Sequence, residues 1–565
     1  MIKFPFAFSH IKESLQKNSR IIFIILFSLY IGAFFNLATA KNVLFADLFL
    51  IFASLCVILG LFSFNNLLLK SITIIFIICN TIAFYIQYFL KVDIGLNMIA
   101  SFFNTNQSEA LEQLSIISWL NWLFLLSIFV IPSLIVICYP LKFHNFSYKS
   151  YIYKLLGLWI INFLVVFLWT PFKFYDNYNK SLFTFIEKIG FNYNIELIPV
   201  NYVYNLVKYL TVVNSSVTYK NLITQYPFNL TSKSKEPYNI VLIIGETARN
   251  ANFSLGDYKR ETNPLLKQQK NLVYYSSFYS CNTGTILSVS CLLSYRSGEE
   301  FRKYLPFSLT NEVASFSEIF NAFDFETYLI STNAYRPKDP MFSHIKEVQN
   351  IYYFPYKMGF KDGDLIIKLQ EIISKGKKNK LIILHTMGSH FQYSARYPEG
   401  FAKWKPVCNE ASEKLAFGAC TSAALINEYD NSILYTDFVL NSMMQLLEEQ
   451  SSMLLYVSDH GENLGEGNRY LHGSDYAQAY KGELNIPGII WFSDKWLKTF
   501  GEAQFNNAFV KKTSTLNHDF VFHSILDCAF IKSPFIDKSL SLCANIRAKD
   551  ITSTLPPFAL LKDAK

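Results

Sequence analysis

The sequence predicts an α-helical membrane domain of five spans joined to an α/β doubly wound domain. Three observations carry this expectation. The chain is 51% hydrophobic and only 17% charged, against about 25% charged in an average soluble protein. Its mean hydropathy of +0.21 is too mild for a protein that is membrane throughout, so a soluble portion must accompany the membrane one. The second half alternates short apolar runs with helix-like segments, the pattern of a sheet covered on both faces. The net charge of +8 over 565 residues includes no long basic run. Nucleic acid is therefore not an expected partner.

The spans come first in the chain. Residues 21–40, 48–69, 71–90, 113–141 and 155–172 contain no Asp, Glu, Lys or Arg, and each is near the roughly 20 residues that cross a bilayer. A cleaved signal peptide is the other reading of the first, but no small-residue cleavage signal follows it. Lys3, Lys12, Lys17 and Arg20 precede the first span, and Lys142, Lys149 and Lys154 fill the 142–154 loop. The basic ends belong in the cytoplasm. The 91–112 loop and everything after about residue 173 then lie outside.

Cysteine usage agrees with that side. Cys56, Cys79 and Cys138 fall in the spans as small apolar residues. Cys281, Cys291, Cys408, Cys420, Cys528 and Cys543 all fall outside, at spacings of 10, 12 and 15. These spacings suggest three short-loop disulfides in an oxidising compartment, with unpaired buried thiols as the alternative. No C-x-x-C zinc pattern occurs.

Residues 173–236 are expected to form a connector after the 1–172 membrane domain. The stretch "LIPVNYVYNLVKYLTVV" suits an amphipathic helix lying on the membrane. The soluble domain occupies 237–565, with strands expected at 239–246, 326–332, 379–390, 452–462 and 486–493, and a helix at 424–448. Continuous apolar runs of this kind suit central strands of a parallel sheet.

Ligands of such sheets bind beyond the carboxyl ends of the strands. Three of these ends are polar: Glu246 after the first run, His385 and His390 in the third, Asp459 and His460 in the fourth. Singly, each suits a helix-end charge or a solvated turn. Converging carboxylates and imidazoles, however, suit zinc or manganese. The segment "CNTGTILSVSC" (281–291) places hydroxyls before helix-forming residues. There a Thr serves either as a helix cap or, beside a phosphate and a metal, as a nucleophile.

These residues resemble a family. "NIVLIIGETARNANFSLGDYKRETNP", "CNTGTILSVSCLLS", "LIILHTMGSHFQYSARYP", "NEYDNSILYTDFVL", "YVSDHGENLGEG", "YLHGSDYAQA" and "HDFVFHSILD" are similar, in order and spacing, to motifs of the lipid A phosphoethanolamine transferases. That family includes the mobile colistin-resistance enzymes, and its soluble domain is alkaline phosphatase/sulfatase-like. The resemblance implies that Glu246, Thr285, Asp459 and His460 bind one catalytic Zn2+ and that Thr285 is the nucleophile. It further implies that His390 and His472 sit around the phosphate or a second zinc, with His385 nearby. In the outer loop, "SFFNTNQSE" resembles a segment that meets the substrate ethanolamine, through Thr105 and Glu109, with Ser101 where Asn is usual.

The implied reaction moves phosphoethanolamine from phosphatidylethanolamine to lipid A, or to another envelope glycan or protein. It passes through a phosphothreonine, with diacylglycerol leaving first. The implied location is the bacterial inner membrane, with the catalytic domain in the periplasm. Departures from the family's pattern exist: "STNAYRPKDP" lacks a cysteine-flanked Lys, and Ser290 replaces a common Pro. A glycerophosphate transferase resembling lipoteichoic acid synthase is the nearer alternative. An inactive glycolipid-binding membrane protein is the more distant one.

Overall fold

The protein is described by a computed structural model covering residues 22–28, 55, 59, 62, 65–86, 94–104, 119–141, 153, 157, 205–207, 209–210, 221–232, 234–303, 315–333, 345, 347–355, 358–408 and 421–556. It divides into two compact units, residues 1–95 with 117–207 and residues 96–116 with 208–565.

In the first unit two helices, α1 (Asn66–Phe84) and α2 (Trp119–Cys138), pack together. Residues 66–84 and 121–138 form helices long and apolar enough to cross a membrane. They overlap the third and fourth expected spans. The other expected spans lie wholly or mostly outside the described residues. One boundary differs from expectation. The helix starts at Asn66, where the Asn65 side chain accepts from the N–H groups of Leu67 and Leu68, so Lys70 sits inside it. The Lys70 ammonium reaches the carbonyl of Ile137 at 2.6 Å, satisfying the C-terminal end of α2. Of the three span cysteines, Cys79 and Cys138 are free thiols, and Cys56 lies outside the described residues.

The second unit is built on one eight-stranded sheet. Its strands are β1 (Tyr238–Gly245), β2 (Leu272–Tyr279), β3 (Glu326–Ser331), β4 (Asn350–Tyr353), β5 (Lys380–His385), β6 (Ser451–Ser458), β7 (Asn485–Phe492) and β8 (Leu516–Asn517). The spatial order is β8-β2-β7-β6-β1-β5-β3-β4. All five expected runs are strands. The parallel reading fails for the last of them: β7 is antiparallel to both β6 and β2. The half-exposed β2 and the short edges β4 and β8 were not expected as strands.

At the centre β1 runs parallel to β5 and β6, with Ile244 opposite His385 and Gly245 opposite Ser458. This register brings the three polar strand ends to one level. Ile240, Val241, Leu242 and Ile243 of β1 are fully buried, each stabilising by about 1.5–3 kcal/mol.

Three helices matter to the site: α3 (Thr285–Leu292), α4 (Ser422–Leu447) and α5 (Asp519–Cys528). The first residue of α4 follows Thr421, whose hydroxyl accepts from Ala424 N–H. The Cys281–Cys291 and Cys528–Cys543 disulfides are present. Cys408 is also disulfide-bonded, while Cys420 lies outside the described residues.

Candidate active site

Glu246 follows β1 and Asp459 follows β6, so their carboxylates emerge from adjacent parallel strands at the same edge. The Asp459 N–H donates to the Gly245 carbonyl at 2.9 Å, continuing the ladder into the site. His460 follows at once, and all three residues are buried. The segment after β5 crosses directly over this edge. Ser389 N–H donates to the Glu246 carbonyl at 2.9 Å, and Gly388 adopts φ +50° there. A side chain at 388 would place its Cβ 2.5 Å from that same carbonyl oxygen. Only glycine fits.

The hydroxyl of Thr285, first residue of α3, lies 3.1 Å from His460 Nε2 and 3.3 and 3.4 Å from the Glu246 oxygens. His460 Nε2 is in turn 3.4 Å from Glu246 Oε1 and 3.3 Å from Asp459 Oδ2. Gly284 caps the helix with no side-chain bond, so no cap side chain occupies the N-terminal end where an anion would sit.

The chemistry of this set fits a cation. Ligand atoms of Glu246, Asp459 and His460 all lie within 4.8 Å of one another. Donors 3.1–3.4 Å apart are close to the edge of a tetrahedron with bonds of about 2.0–2.1 Å, the zinc geometry. Asp459 Oδ2 is buried without a hydrogen-bond partner. His460 Nδ1 lies 2.9 Å from the Gly461 carbonyl. A carbonyl can only accept, so Nδ1 holds the ring proton and Nε2 turns its lone pair inward, as a metal ligand must.

Without a cation, the electrostatics draw positive charge onto the imidazole between the two carboxylates. Burial, then the charge of Glu246, push Asp459 up to about 8. Burial would also raise Glu246, but His460 and His390 hold it well below the carboxylate range. His460 rises to about 10 against its own burial, because Asp459 and Glu246 surround it. Two buried carboxylates thus crowd one imidazole in the place where a divalent ion would sit.

His472 lies beside this set, its ring 4.0 Å from that of His460 and 6.5 Å from that of His390. Its Nδ1 is 3.2 Å from Glu462 Oε1, and burial, then His460, lower it to about 3. His385 is fully buried at the end of β5, lowered by burial to about 4 and close enough to feel Glu246. Ser101 is half-buried on the helix Leu96–Asn104. The same helix packs Leu96 against Ile286 and Leu287 of α3. Thr105 and Glu109 lie outside the described residues.

Sequence reasoning missed several residues here. Asn333 donates to Glu246 Oε2 at 2.8 Å. Asp362 accepts from the N–H groups of Met387 and Gly388, both at 2.8 Å, and so shapes the crossing loop. Glu462 accepts from the Tyr393 hydroxyl at 3.2 Å besides meeting His472. Asn333 carried one usable signal, its place just past the end of a strand.

Residues 238–531 match the family described as Sulfatase, a stretch that holds the whole of this site. The chain belongs to the sulfatase family. Residues 51–212 match a second description, Phosphoethanolamine transferase EptA/EptB. The chain is 32% identical over 302 residues to the Kdo(2)-lipid A phosphoethanolamine 7''-transferase of Escherichia coli K12. The match covers 52% of each chain, so the sulfatase-family chain spans about half the length of that relative. It is 27% identical over 487 residues to phosphoethanolamine transferase EptA of Helicobacter pylori, covering 85% of each. Among solved structures it resembles the integral membrane EptA of Neisseria meningitidis, with a TM-score of 0.75 and 23% identity. That match covers 93% of this chain and 98% of the other. This last likeness shows a shared fold: a membrane domain joined to a soluble one.

Proposed function

We propose that the protein transfers phosphoethanolamine from phosphatidylethanolamine to lipid A or another envelope acceptor, by way of a phosphothreonine at Thr285. The observation that carries this reading is the Thr285 hydroxyl, held 3.1 Å from His460 Nε2 and 3.3 Å from Glu246 at a helix N-terminus. A Thr so placed is a nucleophile presented to a phosphate, not a cap.

In the first step Thr285 Oγ1 forms a bond to the phosphorus, and the bond to the diacylglycerol oxygen breaks. That oxygen leaves as an alcohol after taking a proton. In the second step an acceptor hydroxyl or phosphate oxygen attacks the same phosphorus and Thr285 Oγ1 leaves. Glu246, Asp459, His460 and Thr285 would hold one zinc, which when bound supplies Lewis acidity and lowers the hydroxyl pKa. A second zinc held by His390 and His472 is the other reading of these two residues. His472 is aimed by Glu462 and, with His390, delivers or removes the proton at the leaving and attacking oxygens. Ser101, Thr105 and Glu109 would meet the ethanolamine, the Glu109 carboxylate balancing its ammonium. His385, fully buried beneath, would support the phosphate side rather than touch it.

The remaining topology belongs to this proposal too: five spans in a bacterial inner membrane, with the catalytic unit in the periplasm. It rests on the charge pattern of the loops and on disulfides that need an oxidising compartment. The test is direct. Full-length protein in detergent micelles is given phosphatidylethanolamine with a labelled head group, and its peptides are mapped by mass spectrometry. A phosphoethanolamine ester on Thr285 with release of diacylglycerol is expected. Glycerophosphate on Thr285, or release of another lipid, would favour the lipoteichoic acid synthase-like reading. No covalent species would leave only glycolipid binding.

A further inference from the structure

The loop that presents Thr285 is fixed at its root, Cys281, by residues distant in sequence. The Cys281 carbonyl accepts from Arg302 at 2.9 Å. Its N–H donates to His518 Nδ1 at 3.4 Å, and its sulfur lies 3.3 Å from the same nitrogen. The opposite ring nitrogen, His518 Nε2, is 2.9 Å from the carbonyl of Ser458, the last residue before Asp459. A carbonyl only accepts, so Nε2 carries the ring proton and Nδ1 is the acceptor. Both bonds therefore require one tautomer of a neutral imidazole. Full burial of the ring suits that form.

The surroundings leave the ring no slack. Next to it, Asp519 Oδ1 accepts from Gly298 N–H at 2.7 Å. A Cβ on Gly298 would come within 2.8 Å of the Cys281 Cβ. The Cys281–Cys291 disulfide ties helix α3 to the end of β2, and the Ser280 N–H donates to the Leu484 carbonyl at 2.7 Å. Neither of these bonds spans the gap to the ligands that follow β6. His518 spans that gap with two directed bonds from a rigid ring. The buried Ser280 hydroxyl also lies at this junction, 2.5 Å from both the Asp459 and the Asn282 carbonyls.

We propose that His518 is a positioning residue for the transfer. It couples the root of the Thr285 loop to the strand end bearing Asp459 and His460, and so sets the reach of Thr285 Oγ1. This rests on Thr285 being the nucleophile. A misplacement of about 1 Å at a reacting atom costs on the order of a hundredfold, so even partial loosening is visible in rate.

The test uses the full chain in detergent micelles with phosphatidylethanolamine, following the ester on Thr285 by rapid quenching and mass spectrometry. Two variants are compared, each keeping one end of the bridge: His518→Asn retains an acceptor near Nδ1, and His518→Gln a donor near Nε2. Both are expected to keep bound zinc and a cooperative melt. Both should form the ester at least tenfold more slowly at saturating lipid, with half-saturation within twofold of the unaltered protein. Ester formation at the unaltered rate in both overturns the proposal. So does loss of zinc or of the melt in both, which would make His518 a plain structural residue. Absence of any ester on Thr285 in the unaltered protein instead removes the underlying reading of the nucleophile.

Discussion

The side-chain amide of Asn333 donates to Glu246 Oε2 across 2.8 Å, joining residues 87 positions apart in sequence. Glu246 is thereby held with its other oxygen toward His460 and Thr285. Partners of this kind orient metal ligands, and their loss costs about 10–100-fold in metal affinity. Asn333→Ala should therefore weaken zinc binding by about that factor. Competition against a chromogenic chelator measures it, and unchanged affinity would show that Glu246 orients itself.

Thr285→Ala should abolish transfer by at least on the order of a thousandfold while leaving the protein folded. The neighbouring hydroxyls are already engaged: that of Thr247 donates to Glu246 Oε1 at 2.7 Å. Thr283, the nearest in sequence, is buried and donates to the Ser474 carbonyl at 2.5 Å. Turnover of labelled phosphatidylethanolamine is the measurement, with circular dichroism as the control for folding.

Gly388→Ala should damage the site through backbone alone. The new Cβ would meet the Glu246 carbonyl at 2.5 Å, at a φ of +50°. Strain of about 1–3 kcal/mol is expected, read as a lower melting temperature together with weaker zinc binding. A variant that melts and binds zinc normally would mean the crossing loop can shift without moving Glu246.

Removal of the metal should destabilise the soluble unit. Glu246 and Asp459 are both buried and opposed, and the proposed zinc would relieve them. A ligand present at a hundred times its Kd stabilises by about 2.7 kcal/mol. Chelation should lower the melting temperature accordingly, and added zinc should restore it. Calorimetry with and without chelator decides the matter.

Breaking Cys528–Cys543 should cost about 2–4 kcal/mol, the usual range for a short closed loop. The bridge links the end of α5 to a C-terminal stretch that Lys511 also holds, through the carbonyls of Leu542 and Ala544. Cys528→Ala with Cys543→Ala should lower stability to chemical denaturation and leave zinc affinity intact. A drop in zinc affinity would show that this end of the chain reaches the site.

The sequence alone determined the strand ends. Runs such as "NIVLIIGE" and "SMLLYVSDHGE", short, continuously apolar and alternating with helix-like segments, suit strands covered on both faces. A polar residue just past such a run must emerge at the sheet's edge. Glu246, Asp459 and His460 were therefore legible one by one, and the motif order supplied Thr285 and His472. Tertiary structure decided the rest. An apolar run marks burial but not direction, so β7 could not be read as antiparallel. The reason lies in the connection from β6, residues 459–484, which holds only short elements, whereas a parallel return needs a crossover, usually a helix. β2 went unread because one face is partly exposed and its polar residues break the apolar run. Asn333, Asp362 and His518 act through contacts with residues far away in sequence. Their roles exist only once the sheet's register has set those strands side by side.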